Sequence, residues 1–293
     1  MNVSEQNAAQ NQPKIKVSYP NQRHDHGWIR TWGVMAGNVW ESRHLIWQLF
    51  RRDLLSRYKK SFVGYAWIFL APLVGVVRWV FMQKTGLLQA GEMEIPYPVY
   101  VLIGTTMWAL FMKFFNSAKN SLRSGRSYMM KVNFAHEALL VKQLARQLTD
   151  FSIAFVLNLV VMMAFGVFPS WGIVLLPLVA LPLFLLSTAV GLIISMVGTV
   201  AVDVSKFVNG GMGLLMFITP VIYADNYENE VVQAITRWNP LTYLVCSCRD
   251  MMLYGRLYRP GGYFICVGIS VVAFLLAWRL FYVSEHKLVE RMI

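Results

Sequence analysis

Residues Trp171–Met196 read WGIVLLPLVALPLFLLSTAVGLIISM, 26 positions without one charge. A helix needs about 20 apolar residues to cross the roughly 30 Å hydrocarbon core of a bilayer. This stretch is therefore read as a membrane span. Pro177 and Pro182 predict that it is bent or begins as a re-entrant piece. Working outward, five further apolar runs flank it. Three precede it, at about Val63–Met82, Val99–Phe115 and Phe151–Phe168; two follow, at about Phe207–Tyr223 and Tyr263–Tyr282. Composition agrees: 56% of the 293 residues are hydrophobic and only 14% are charged, against about 25% in an ordinary soluble domain. That excludes a disordered chain and argues against a soluble globular enzyme. The expected fold is an all-α membrane protein with six transmembrane helices.

The chain carries 27 Lys+Arg against 15 Asp+Glu, a net charge of +12. Nucleic acid is the usual partner of such an excess, but the positions assign it elsewhere. Ten basic residues precede the first run, and Lys119, Arg123, Arg126, Lys131, Lys142 and Arg146 lie between the second and third. The intervening loop holds Lys84 against Glu92 and Glu94. Basic residues collect on the cytoplasmic side, so the N-terminus is placed there, and six spans return the C-terminus to the same side. Residues 1–38 read as a polar, basic tail without the apolar core of a signal peptide. From about Val39 to Lys60 the chain reads as an amphipathic interface helix. Its apolar side is Val39, Trp40, Ile46, Trp47, Phe50, Leu54 and Leu55, and its polar side is Arg43, Arg51, Arg52, Arg57 and Lys59. Residues 61–293 form the six-span domain.

One segment departs from the charge rule. Residues 224–262 fall outside, yet hold Arg237, Arg249, Arg256 and Arg259 after the acidic start Asp225, Glu228, Glu230. Leu241–Leu253 is apolar but too short to span. Asn239-Pro240 breaks the chain before it and Gly255 ends it. The expectation is a re-entrant helical hairpin before the last span. Its arginines either face lipid phosphates or an anionic substrate, or snorkel to the headgroups.

Chemistry is sparse. The sequence has no Gly-Lys pair and so no phosphate-binding P-loop; it has no G-x-S-x-G or H-E-x-x-H. Cys246, Cys248 and Cys266 lack the companions of a metal site, and His24-Asp25-His26 lies in the polar tail. Asn209-Gly210-Gly211-Met212-Gly213 opens a span, where small residues let helices approach closely. Arg78 lies deep in the first span, where a charge costs about 2.5–3.5 kcal/mol and usually faces a cavity or partner. Aromatics crowd the first two spans, among them Trp67, Trp79, Phe81 and Trp108; interfacial belts account for most of them, and a sugar-conducting path lined with rings is the alternative.

Four stretches together resemble one family. Arg52-Asp53-Leu54-Leu55-Ser56-Arg57-Tyr58-Lys59-Lys60-Ser61, running on to Gly64-Tyr65-Ala66-Trp67 and Pro72-Leu73, is similar to the entry signature of ABC-2-type permeases of polysaccharide exporters, including O-antigen, capsule and teichoic-acid systems. Thr219-Pro220-Val221-Ile222-Tyr223 resembles the outer end of that family's fifth span. Asn239-Pro240-Leu241-Thr242, with Arg249 and Leu253-Tyr254-Gly255, resembles its re-entrant segment. Where the family often has an Arg-Asp pair, this chain has Val202-Asp203. The resemblance implies a transport subunit, not an enzyme, in the bacterial inner membrane, paired with a second copy of itself and two ATP-binding cassette subunits. It implies no cofactor on this chain, with ATP and magnesium on the partner, and a lipid-linked polysaccharide as cargo. It implies a pathway along Trp67, Arg78, Trp79, Phe81 and Trp108, with Arg237 and Arg249 near the carrier's phosphates. It implies ATPase coupling through Arg52, Asp53, Arg57, Tyr58, Lys59, Arg123, Arg126, Lys131 and Glu137. The competing readings are an ABC-2 permease for a drug or lipid, and a polytopic glycosyl- or acyltransferase.

Overall fold

The structure, a computed structural model, describes residues 28–56, 66–91, 93–121, 136–225 and 230–290. Among these residues there are ten α-helices and no strand. They are α1 (Trp28–Glu41), α2 (Arg43–Ser56), α3 (Trp67–Lys84), α4 (Tyr97–Lys119), α5 (His136–Ala164), α6 (Leu176–Val200), α7 (Val202–Ile218), α8 (Glu230–Trp238), α9 (Pro240–Tyr254) and α10 (Pro260–Glu290).

Helix α4 is the centre. Pro96 stands at its N-cap and Pro98 in its first turn, where a missing N–H costs nothing. Val99, Val101, Ile103, Met107 and Phe115 are fully enclosed, because its sequence is apolar on most sides and helices cover it there. Helix α6 packs closest: a Cβ on Gly191 would sit 2.5 Å from the Phe115 carbonyl oxygen and 2.7 Å from Ala118 Cβ. Phe114 and Phe184 stack with centroids 4.7 Å apart. Helix α5 joins α4 through two polar contacts, Asn158 Nδ2 donating to Thr106 Oγ1 at 3.0 Å and Gln147 Nε2 to Ser117 Oγ at 2.9 Å. Helix α10 lies against α6, where Tyr263 donates to the Val179 carbonyl at 3.1 Å.

Among the described residues, four helical stretches are long and apolar enough to cross a membrane: Tyr97–Lys119, Leu140–Ala164, Trp171–Val200 and Pro260–Ser284. The first and fifth expected runs fall on α3 and α7, helices of 18 and 17 residues. At 1.5 Å per residue they reach about 27 and 26 Å, just under the hydrocarbon thickness. The prolines of the 171–196 run act at its start: Ser170 caps a 3-10 turn, Trp171–Leu175, and Pro177 lies in the first turn of α6.

Two helices, α8 and α9, occupy the segment before the last apolar run, joined at Asn239. The Asn239 side chain accepts from the Leu241 N–H at 3.0 Å, and Gly255 ends α9 in the left-handed conformation at φ 67°. Helix α9 is buried along most of its length, against α4, α6, α10 and the 3-10 turn. The Ser170 N–H donates to the Met252 carbonyl at 2.8 Å.

The entry region differs from expectation. Helix begins at Trp28, inside the stretch read as a polar tail, and the boundary at residues 38 and 39 falls within α1. Ile46 N–H still bonds the Ser42 carbonyl at 2.9 Å, so α1 and α2 are nearly continuous. Arg43 does not join the polar side. Residues 40, 43, 47 and 50 share one helical stripe, and the Arg43 guanidinium lies 5.0 Å from the Trp40 ring centre. Replacing Gly191 with Leu should overpack the α4–α6 contact and cost about 1–3 kcal/mol, read as a lower melting temperature of the purified protein; unchanged melting would contradict so close a contact.

Candidate functional site

Helix α7 ends at Ile218 because Pro220 has no N–H to continue the ladder. The next five residues, Thr219–Tyr223, are buried yet not helical, so their polar groups need partners from elsewhere. Side chains supply them. Asn239 Nδ2 donates to Thr219 Oγ1 at 2.8 Å, and Arg249 Nη1 to the Pro220 carbonyl at 3.0 Å. Tyr97 donates to the Ile222 carbonyl at 3.0 Å and Tyr100 to the Tyr223 carbonyl at 2.8 Å. The backbone at Val221 presses on α4 where Gly104 offers no side chain; a Cβ there would overlap the Val221 oxygen. Arg249 is itself held tightly: its guanidinium lies 4.1 Å from the Tyr100 ring centre, Nη2 is 3.3 Å from Cys246 Sγ and Nε 3.8 Å from Asp250 Oδ1. Arg249, expected near a substrate phosphate, is placed in the interior, 5% exposed, with Nη1 on this segment and its other nitrogens beside Cys246 and Asp250.

Beyond that buried segment the Asp225 carboxylate accepts from the Tyr258 hydroxyl and lies 3.8 Å from Arg259 Nη2. The loop after α9 is thereby tied to the chain that follows α7. Arg237 is exposed on α8, 3.3 Å from Gln233 Oε1.

Apolar side chains also stand exposed on α3 and α7, which meet through Trp79 and Phe217. Val74, Val77 and Phe81 are 63%, 68% and 62% exposed, and Arg78 lies on the same stripe. The Arg78 guanidinium sits 4.6 Å from the ring centre of Trp79, which is buried and meets Phe217 edge-on at 6.1 Å. On α7, Phe207 and Leu214 are uncovered, and nothing lies within 4 Å of where a Cβ on Gly210, Gly211 or Gly213 would be. Trp67 is also exposed at the start of α3. Trp108 does not join this face; it is buried in the core beside Phe111, 5.5 Å between centroids. So the structure gathers Trp67, Arg78 and Phe81 on one open surface, with Trp79 directly beneath it.

On the coupling side, Asp53 of α2 and Lys142 of α5 form an ion pair at 2.7 Å, with Lys142 buried and Asp53 partly so. Arg52 Nη2 lies 3.7 Å from the other carboxylate oxygen. Arg57, Tyr58, Lys59, Arg123, Arg126 and Lys131 lie outside the described residues, and Glu137 is described only as part of the first turn of α5.

Tyr97, Tyr100, Gly104 and Asn239 are the residues that sequence reasoning passed over as contacts. A usable signal existed: two tyrosines three apart on one helix face, next to an X-Pro break in another helix, can turn their hydroxyls to the freed carbonyls. Tyr100→Phe should leave the Tyr223 carbonyl unpaired and destabilise the protein by about 1–3 kcal/mol. Arg249→Met should do at least as much. A thermal shift for Arg249→Met no larger than that of an exposed substitution such as Arg237→Met would refute the clamp.

The model of the ABC-2 type transporter family matches residues 44–253. An O-antigen export system permease of Myxococcus xanthus is 26% identical over 259 residues, covering 87% of this chain and 98% of that protein. A protein of the same name from Klebsiella pneumoniae is 28% identical, over 75% of this chain and 87% of its own length. The polysialic acid transport protein of Escherichia coli is 23% identical, over 71% of this chain and 80% of its own. With the family model covering most of the chain, from the α2 entry helix through α9, this protein belongs to the ABC-2 type transporter family.

Proposed function

We propose that this chain is the transmembrane subunit of an ATP-driven exporter that moves a lipid-linked polysaccharide across the bacterial inner membrane. It works as a homodimer with two ATP-binding cassette subunits. The proposed topology has six crossings, with α3 and α7 as the first and fifth, α8–α9 as a re-entrant hairpin on the outer side, and both termini cytoplasmic. The relatives named above carry unlike glycans, O-antigen and polysialic acid. What they share is an extended, hydrophilic polymer, and that is the class of cargo assigned here. The absence of a P-loop from the sequence fits hydrolysis on a separate subunit.

The observation that carries this reading is the open face of α3 and α7. It is apolar, as a membrane surface is, but holds Arg78 two thirds of the way along α3, where lipid contact would be costly. A second copy set against this face covers the apolar stripes and the bare glycines. It also leaves Arg78 and its neighbouring rings along a shared path, where a cation over an indole can meet sugar hydroxyls or a lipid phosphate. The ion pair of Asp53 with Lys142 supports the coupling role proposed for the entry helices, because it fixes α2 to α5.

The test is complementation in cells lacking the protein. Wild type restores surface polymer. Arg78→Ala, present at an equal level in the membrane, should lower export about tenfold, the loss of one charge-assisted contact, with lipid-linked polymer accumulating inside. Arg78→Lys should retain more export than Arg78→Ala. Full export by Arg78→Ala would remove Arg78 from the path, and normal surface polymer without the chain would overturn the function.

A further inference from the structure

The cover around α4 has one gap. After the first turn, the residues of this helix that are not buried are Thr105, Ala109, Met112, Lys113, Asn116 and Lys119. At 3.6 residues per turn they all fall within a sector of about 120°. The gap is therefore one continuous stripe, about 21 Å long from Thr105 to Lys119. On the covered side, Thr106 and Ser117 are bonded to α5. The lysines of α4 stand on the open stripe instead.

The inner half of the stripe is polar and positive. Lys119 Nζ donates to Asn209 Oδ1 of α7 at 2.6 Å and to Asn116 Oδ1 at 3.0 Å, and it lies 5.2 Å from the Phe115 ring centre. Asn116 is one turn earlier in α4. In the topology proposed above, the ammonium group thus turns toward the membrane interior, opposite to the direction of a snorkelling lysine. Lys113 stands about 9 Å deeper along the helix. Its Nζ lies 4.0 Å from Asp150 Oδ2 of α5, and 40% of its side chain is exposed. Helices α5 and α7 thus border the stripe on its two sides. The two amide oxygens orient Lys119 without cancelling its charge. Lipid tails on this stripe would leave both ammonium groups poorly solvated, so its occupant is polar.

We propose that Lys119 and then Lys113 receive the phosphate of the lipid that carries the cargo. This rests on the lipid-linked cargo proposed above. It replaces the contact expected of Arg249, whose Nη1 is committed to the Pro220 carbonyl. A phosphate on a membrane lipid starts at the level of the inner headgroups, which is where Lys119 stands at the end of α4. That depth favours a phosphate anchored in the membrane over an acidic sugar in the cytoplasm. An ammonium group is a compact charge with rotating donors on a flexible stem, which suits an anion that moves from one station to the next; a guanidinium fork would hold it in one geometry.

The experiment is native mass spectrometry of the full chain, extracted in mild detergent and offered equal amounts of polyprenyl diphosphate, polyprenol and phosphatidylglycerol. Wild type should retain the diphosphate over both of the others. Lys119→Gln should lower that retention about fivefold, the worth of one basic residue at an anionic lipid. Lys119→Arg should keep more of it than Lys119→Gln. Lys113→Gln should lower retention by a similar factor. Should that variant fail to fold because it leaves Asp150 without its cation, Lys119→Gln at the helix end decides alone. Retention of polyprenol or phosphatidylglycerol equal to that of the diphosphate overturns the proposal. So does retention unmoved by Lys119→Gln, or displacement of the diphosphate by a lipid-free acidic polysaccharide. Each of these results would leave the export function standing, because complementation decides that separately.

Discussion

A buried stretch of backbone without helical hydrogen bonds must be satisfied by something else, and in a membrane water is not at hand. Thr219–Tyr223 meets that constraint with Asn239, Arg249, Tyr97 and Tyr100, which come from α4 and from the α8–α9 pair. Four distant positions are thereby locked to one five-residue break. The position of α9 follows from it, since Asn239 caps α9 and Arg249 projects from its middle. The register of α4 follows as well, since Gly104 is the point where it can approach the Val221 backbone. Paying for a buried guanidinium is reasonable here because the charge sits on an aromatic face and donates to a carbonyl that has lost its helical partner.

The rest of the molecule divides around this clamp. Helices α4 and α9 are buried along most of their length, while α3, α5, α7 and α10 each present apolar side chains that no other described element covers. Helices α3 and α7 meet at Trp79 and Phe217. Phe217 lies one residue before the end of α7, so the open face and the clamp are adjoining parts of the same helix. Any rearrangement of that face has to be accommodated at the Pro220 break.

The sequence was most legible where one property decides the outcome. Length and apolarity alone mark Tyr97–Lys119 and Trp171–Val200, and local backbone chemistry alone marks Asn239 and Gly255 as the two ends of α9. It was least legible where two distant stretches must be known together. Arg249 breaks the positive-inside pattern, which points toward an outer ligand. Its partner is a carbonyl 29 residues back, and nothing in the local pattern reveals that need. Tyr97 and Tyr100 pass for an aromatic belt because their amphipathic character is real; only the tertiary fold shows that their hydroxyls end on residues more than 120 positions away. Trp108 shares the aromatic signal of Trp67, but it lies on the covered side of α4 while Trp67 stands exposed on α3. Arg43 was assigned by charge, whereas the helical repeat puts it with the tryptophans. The start of α1 at Trp28 follows a polar stretch whose composition masks it.

The joint between α2 and α5 has a mechanical side. Lys142 lies near the start of α5, and the far end of that helix leads through Gly166 to Ser170, which is bonded to Met252 of α9. Between Lys142 and Ala164 the helix is a rod about 33 Å long. A tilt of about 5° at the Asp53 end displaces the other end by roughly 3 Å, comparable to the length of a hydrogen bond. Helix α5 thus links the Asp53–Lys142 pair on one side of the bundle to the Ser170–Met252 bond on the other.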